Sequence, residues 1–217
     1  LNELHRARRA DDEQLDARIQ SLELAFRMQR EADEAFDVSQ EPKHVLEQYG
    51  DTVHGRQTLI ARRLAERGVR YVQVYHGAGQ PWDSHANVAE AHKRLARESD
   101  QPIAALLADL KQRDMLKDTL VLWSGEMGRT PAINKDGGRD HWPAVYSVLL
   151  AGGGIGGGRV IGASDSLGAQ PKEGKVSPGD ILTTIYHLLG LPLTTEIHDP
   201  QGRPIPICTG QVIRSLI

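Results

Sequence analysis

Histidine and carboxylate side chains occur together at three places in the middle of the chain. They are His76, the tripeptide Asp83-Ser84-His85, and the neighbours Asp140 and His141. Imidazole nitrogen and carboxylate oxygen are the atoms with which proteins hold zinc, manganese or iron. In an extended segment Asp83 and His85 can point to the same side, whereas adjacent Asp140 and His141 cannot easily both face one ion. The spacing therefore allows a metal site, although such pairs are also common as hydrogen-bonded surface groups.

A second candidate group is an acidic and a basic residue in a glycine-containing turn. Glu126 lies between Gly125 and Gly128, and glycine allows the backbone to approach a ligand closely. Arg129 follows directly, and its guanidinium can bind two oxygens of an anion at once. Two interpretations stay open: Arg129 binds an oxyanion, or it pairs with Glu126 or Asp140 within the protein.

The elements that must position these groups are predicted from the pattern of apolar residues. Segments 69–75, 119–123 and 145–150 predict strands, the last two buried on both faces. Helices are predicted over 14–36, 55–67, 88–98, 103–113 and 181–189. Alternating helices and buried strands predict an α/β fold, with a mostly parallel sheet covered by helices on both faces. Because sites in such folds form at the carboxyl ends of strands, the candidate residues should meet at that edge.

The composition excludes several classes of function. Lys and Arg total 26 against 29 Asp and Glu, a net charge of −3, which argues against a nucleic-acid-binding surface. The sequence contains no run of about eighteen apolar residues, so no membrane span is predicted. One cysteine, Cys208, excludes an intramolecular disulfide and a multi-cysteine zinc site. The glycines of 152–158 lack the Lys-Ser/Thr of a phosphate-binding loop and predict a flexible turn.

Longer motifs resemble one bacterial family. The motifs include Trp82-Asp-Ser-His85, Gly125-Glu-Met-Gly-Arg-Thr-Pro131 and Gly138-Arg-Asp-His-Trp142, and the similarity extends over nearly the whole chain. The family is catalogued as domain of unknown function 1501, and its members resemble the alkaline phosphatase and sulfatase superfamily. This resemblance implies that residues 1–217 are the carboxyl-terminal part of one alkaline-phosphatase-like α/β domain, with 1–50 as a mainly helical leading segment. It also implies export to the periplasm, because family members commonly begin with a twin-arginine signal.

The same resemblance implies roles for the metal-binding candidates. Asp83, His85 and His141 are similar to the ligands of the superfamily's first metal. Glu126 stands where the superfamily has an aspartate and is expected to be the fourth metal ligand. Met127 stands where it has a histidine, and a thioether is a poor zinc ligand. The expected cofactor is a divalent metal: zinc is the first choice, and manganese, magnesium or calcium would also be compatible.

The remaining candidates are expected around this metal. His76 and Asp140 should support the ligands, and Arg129 should hold the anion. The superfamily's nucleophile comes early in its chain, and nothing in this sequence matches that segment.

Functions from different classes follow from these expectations. The first is an exported, metal-dependent hydrolase acting on small-molecule or glycan esters of phosphate or sulfate, with the metal polarising the ester oxygen. The second is a non-catalytic relative that binds a glycan, a partner or one structural metal, and Met127 favours it. A peripheral structural domain without metal is a third hypothesis. Turnover of an aryl phosphate or aryl sulfate separates the first from the others.

Overall fold

The computed structural model describes residues 13–217, including the side chains of 15–26 and 33–217. Internal contacts divide the chain into two compact units. The first contains the residues up to His76 together with Gln101–Leu106, and the second contains Gly77–Asp100 and Leu107–Ile217. Of the predicted site residues, His76 belongs to the first unit and all the others belong to the second.

The first unit is built from helices α1 (Glu13–Phe36), α2 (Lys43–Tyr49) and α3 (Val53–Glu66), with a 3-10 turn at Val38–Gln40. The helices predicted over 14–36 and 55–67 are confirmed, and residues 1–12 of the predicted leading segment lie outside the described residues. At the start of α3, the Thr52 hydroxyl accepts a hydrogen bond from the Gly55 amide at 2.9 Å. The apolar faces enclose a small core, whose buried members are Val38, Val45, Tyr49, Leu59 and Ala105.

A buried ion cluster joins these helices. Glu41 pairs with Arg62 Nη2 at 2.8 Å and also with Arg63. Arg63 donates from Nε to the Ala35 carbonyl at 2.9 Å and from Nη2 to the Glu34 carbonyl at 2.6 Å. These carbonyls belong to the last turn of α1, where no further helical N–H group can bond them. Arg63 therefore caps α1, while Glu41 offsets the charge of the two guanidinium groups.

Helix α4 (Val88–Gln112) is continuous, so the prediction of two helices separated at Pro102 is wrong. Proline inside a helix removes one backbone hydrogen bond and costs about 3 kcal/mol or more. Here Pro102 is fully buried, and the side-chain amide of Gln101 donates to the Glu47 carbonyl at 2.9 Å. We attribute the continuity of the helix to this packing, which offsets the cost of the proline.

The second unit contains short strands that pair two by two, always antiparallel. The pairs are β1 (Val121–Trp123) with β4 (Leu149–Ala151), β2 (Gly128–Arg129) with β3 (His141–Trp142), β5 (Ala163–Ser164) with β6 (Pro171–Glu173), and β7 (Glu196–His198) with β8 (Pro204–Pro206). Within residues 13–217 no sheet has more than two strands and none is parallel.

The predicted α/β fold with a mostly parallel sheet is therefore wrong, and so is the alkaline-phosphatase-like architecture. The prediction assumed that the apolar run 119–123 is buried on both faces. Among the described strands β1 pairs only with β4, and its Leu122 and Trp123 side chains are each 45% exposed. A parallel sheet needs both faces covered by helices, and side chains this exposed are not covered.

The strand predicted over 69–75 does not form either. Its residues from Tyr71 onward alternate between exposed and half-buried, as in a strand, with Tyr71 78% and Tyr75 70% exposed. No other described strand forms a ladder with this segment. Residues with β propensity fit a half-buried pleated surface, but a strand also needs a neighbour for its backbone hydrogen bonds.

The helix predicted over 181–189 is confirmed as α5 (Pro178–Leu188). Its N-cap is Ser177, which forms a capping box with Asp180. The Ser177 hydroxyl accepts from the Asp180 amide at 3.1 Å, and Asp180 Oδ2 accepts from the Ser177 amide at 2.8 Å. A second 3-10 turn, Arg214–Leu216, follows near the end of the chain.

None of the helices within residues 13–217 has the length and apolar character needed to cross a bilayer, in line with the sequence.

Candidate metal centre

The hairpin of β2 and β3 brings the glycine-containing turn beside a candidate ligand. Arg129 in β2 lies opposite His141 in β3, and Gly128 lies opposite Trp142. Position 128 requires glycine, because a Cβ atom there would lie 1.8 Å from the Val145 carbonyl oxygen. The sequence predicted that these residues meet at the edge of a parallel sheet, whereas a two-residue antiparallel ladder joins them.

The loop 134–139 holds the segment that carries His85. The Arg139 amide donates to the Ser84 carbonyl at 3.0 Å. Gly138 approaches so closely that a Cβ atom there would lie 1.9 Å from the carbonyl carbon of His85. Only glycine permits this approach of the two backbones. The loop therefore fixes the position of His85.

Asp83, His85 and His141 converge on one point. Asp83 Oδ1 lies 3.1 Å from His85 Nε2 and 3.0 Å from His141 Nε2, and one donor atom from each residue lies within 4.8 Å of the others. With zinc–ligand bonds of about 2.0–2.1 Å, tetrahedral geometry separates two donors by roughly 3.3 Å. The two separations from Asp83 Oδ1 are close to that value. Both imidazoles are about half exposed, so the cluster is open to solvent on one side.

Asp140 orients the ring of His85. Its Oδ1 lies 2.8 Å from His85 Nδ1, so that Nε2 faces Asp83. A carboxylate on the second nitrogen is the usual support of a metal-binding histidine, because it fixes the tautomer and the ring orientation. Asn134 supports this contact and was not predicted: its side-chain nitrogen donates to Asp140 Oδ1 at 3.2 Å and to the His85 carbonyl at 3.0 Å. Its Oδ1 accepts from the Gly138 amide, a local turn contact that Asn favours.

These contacts shift three pKa values. Burial raises the pKa of Asp83, but the hydrogen bond from His141 and the charge of Arg129 outweigh it, and the net shift is downward. The hydrogen bond to Asp140 raises the pKa of His85, and the same bond lowers the pKa of Asp140. The charged forms of all three residues are thus favoured. Below the raised pKa of His85, a metal that binds at its Nε2 must displace a proton from the ring.

Arg129 joins the cluster, and Glu126 lies beside it. Nη1 of Arg129 is 2.9 Å from Asp83 Oδ1, and Nη2 donates to Glu126 Oε1 at 2.8 Å. Of the two interpretations of Arg129, the structure contains the internal pair with Glu126, whereas Asp140 contacts His85. Glu126 is exposed and is not among the three residues whose donor atoms converge.

The remaining candidates make contacts of other kinds. His76, in the first unit, stacks on His54 with ring centroids 4.4 Å apart. Trp142 donates its indole N–H to a main-chain carbonyl at 2.7 Å, which is a packing contact. Among the glycines of 152–158, a Cβ atom at Gly152 would lie 2.4 Å from the Leu116 carbonyl oxygen. This part of the glycine-rich segment is therefore packed against neighbouring backbone.

Fold and site together define a protein of helices and small antiparallel hairpins that carries an open cluster of two histidines and one aspartate. The chain belongs to the family described as Protein of unknown function (DUF1501), whose model matches residues 1–217. The resemblance to that family is thus confirmed. No curated protein and no solved structure matches the chain.

Proposed function

We propose that the protein is a metal-dependent hydrolase-like protein acting on phosphate or sulfate esters, and that Asp83, His85 and His141 bind its divalent metal. The observation that carries the proposal is the convergence of one donor atom from each residue within 4.8 Å. One carboxylate and two imidazoles are also the protein ligands of catalytic zinc and non-haem iron centres, which keep further positions open.

Zinc is the metal that we propose first. Two of the three donors are imidazole nitrogens, which suit zinc and iron. Magnesium and calcium, in contrast, prefer sites built from oxygen ligands. The contact between Asp140 and His85 Nδ1 supports metal binding, because it leaves Nε2 as the donor that faces Asp83.

An anionic ester is the substrate class that the surroundings favour. The guanidinium of Arg129 lies against Asp83, so a metal on Asp83 and this guanidinium would flank one small volume. A metal there would act as a Lewis acid on an ester oxygen, and Arg129 would hold the non-bridging oxygens. Export from the cytoplasm is part of this proposal and is supported by the motif resemblance.

Metal analysis tests the site. Protein purified without added metal is analysed by inductively coupled plasma spectrometry and then titrated with zinc chloride. Wild type should bind about one zinc ion per chain, and the Asp83→Ala, His141→Ala double variant should bind none, because two of three ligands are gone. The double variant Asp118→Ala, His198→Ala, which removes one exposed aspartate and one exposed histidine outside the cluster, should bind like wild type. Equal and negligible zinc in wild type and the first variant would defeat the proposal.

A non-catalytic module that binds an ester or glycan through one metal is the second candidate. It is favoured because the described residues contain a single group of three or more metal-ligating side chains, whereas many phosphate-ester hydrolases use two metals. Turnover of an aryl phosphate and an aryl sulfate by the zinc-loaded protein separates the candidates. Turnover that disappears in the Asp83→Ala, His141→Ala variant supports the hydrolase, and zinc binding without turnover supports the module.

A further inference from the structure

Arg129 contacts the carboxylate oxygen that a bound metal would need. Its Nη1 lies 2.9 Å from Asp83 Oδ1, the same oxygen that His85 and His141 approach at 3.1 and 3.0 Å. The side chains of Arg129 and Asp83 are each 15% exposed, so water screens their charges only in part. A guanidinium and a divalent ion that contact the same oxygen would lie close together, and their positive charges would repel each other strongly.

The contact between Arg129 and Asp83 is one that can be released. Nη1 is a buried nitrogen without a hydrogen-bond acceptor, even though Asp83 Oδ1 is 2.9 Å away. The two groups are therefore held by charge and not by a directed hydrogen bond. Nη2, in contrast, donates to Glu126, and the ladder of β2 and β3 fixes the Arg129 backbone. The Arg129 guanidinium can therefore move away from Asp83 without breaking a hydrogen bond.

We propose that Arg129 is a displaceable cation: it offsets the charge of Asp83 until a metal binds, and the metal then frees Nη1 to donate to an oxyanion. This inference rests on the proposed metal site. Without an anion, Arg129 opposes metal binding, and an oxyanion bound at Nη1 relieves that opposition. Coupling between two ligands is reciprocal, so the metal raises the affinity for the anion by the same factor.

Calorimetric titration of Zn²⁺ alone, in chloride buffer, tests the role of the charge. Arg129→Gln removes the charge and keeps a hydrogen-bonding end, whereas Arg129→Lys keeps the charge without the planar fork. Arg129→Gln should bind zinc about tenfold more tightly than wild type, because one nearby repelling charge is gone, and Arg129→Lys should bind much like wild type. Arg94→Gln, which removes an exposed guanidinium paired with Glu98, is the control and should leave zinc affinity unchanged.

Replacing chloride by sulfate at constant ionic strength tests the coupling. In wild type, sulfate should tighten zinc binding severalfold, and zinc should tighten sulfate binding by the same factor. In Arg129→Gln both effects should disappear, because the guanidinium charge that attracts sulfate and opposes the metal is missing. Absence of any sulfate effect in wild type would overturn the coupling without the use of a variant.

The outcomes separate this inference from the proposed function. If wild type binds zinc and Arg129→Gln binds it equally or more weakly, Arg129 is not a competing cation and the metal site stands. If neither protein binds zinc, both proposals are overturned. Circular dichroism and urea unfolding establish that Arg129→Gln is folded; if it is not, the sulfate experiment on wild type decides.

Discussion

The protonation of His85 sets the pH range in which the proposed site can bind a metal. The hydrogen bond to Asp140 raises the pKa of His85, so below that raised value a metal must displace a proton from the ring. Zinc affinity should therefore fall by about tenfold per pH unit on the acid side and level off on the alkaline side. In Asp140→Asn the pKa of His85 should drop, and the fall in affinity should move to lower pH.

Zinc titrations over a pH series and the NMR titration of His85 without metal check this prediction. Asp136→Asn is the matched control, because it neutralises an exposed aspartate of the same loop that lies outside the three-residue cluster. The same shift has a consequence for folding. Because the folded-state pKa of His85 is raised, its protonated form stabilises the protein below its ordinary pKa of about 6.5, and the contribution is lost as the pH rises through the raised value. If the midpoint of the His85 NMR titration were the same in Asp140→Asn as in wild type, the role given to Asp140 would be contradicted.

Among the elements, the loop 134–139 has the most direct influence on the site. In Gly138→Ala the new Cβ atom would lie 1.9 Å from the carbonyl carbon of His85, so the loop must move away. Zinc affinity should fall by at least tenfold, and the free energy of unfolding should decrease by on the order of 2 kcal/mol. Gly157→Ala is the control, because nothing lies within 4 Å of the Cβ position there. Equal effects of the two substitutions, measured by zinc titration and urea unfolding, would refute the close approach of the loop.

Of the four predicted ligands, Asp83, His85 and His141 converge and Glu126 does not, and the element that joins them was not predicted. The residue types of Asp83, His85 and His141 suit one metal, and the structure brings these three together. Their predicted meeting place, the edge of a parallel sheet, does not exist, because the Arg129–His141 pairing is a short antiparallel ladder. Residue types and spacing carry information about ligand chemistry, whereas strand partners depend on contacts between distant segments. Asn134 was missed for the same reason, since its importance lies in a hydrogen bond to the distant His85 carbonyl.

Helices were better predicted than strands, because their determinants are local. The 3.6-residue period of apolar residues identified α1, α3 and α5 to within a few residues. Pro102 predicts a boundary because a proline within a helix is unfavourable, and only the packing of α4 shows that it is tolerated. The apolar run 119–123 predicts a strand covered on both faces, but the run itself does not specify what covers it.

The buried ion cluster between the helices of the first unit should dominate its response to mutation and to pH. Burial raises the pKa of Glu41, but hydrogen bonds from Arg62 and Arg63 outweigh it, and the net shift is downward. Glu41→Ala leaves both guanidinium groups without this carboxylate and should lower the free energy of unfolding by about 3 kcal/mol. Glu47→Ala, which breaks only an exposed pair with Lys43, should cost less than about 1 kcal/mol.

The pH dependence of the same cluster provides a second measurement. Because the folded-state pKa of Glu41 is lowered, its carboxylate stabilises the protein above the unfolded-state pKa of about 4.3. That contribution is lost as the pH falls through the lowered value. Urea unfolding between neutral pH and pH 3 should therefore show the difference between wild type and Glu41→Ala shrinking with acidity. A difference that stays constant would mean that the charge of Glu41 is not the stabilising feature.

For the molecule as a whole, the main hazard is association through segment 69–75. Tyr71 and Tyr75 expose apolar rings on a segment with strand-like alternation and no described strand partner, which is a template for pairing between copies. Lysines at these positions should suppress such pairing through charge repulsion, so the Tyr71→Lys, Tyr75→Lys variant should show much less concentration-dependent light scattering than wild type. The control variant Gln40→Lys, Gln57→Lys adds the same charge at exposed positions outside this segment. If the control reduces scattering as much as the tyrosine variant, net charge and not this segment governs association.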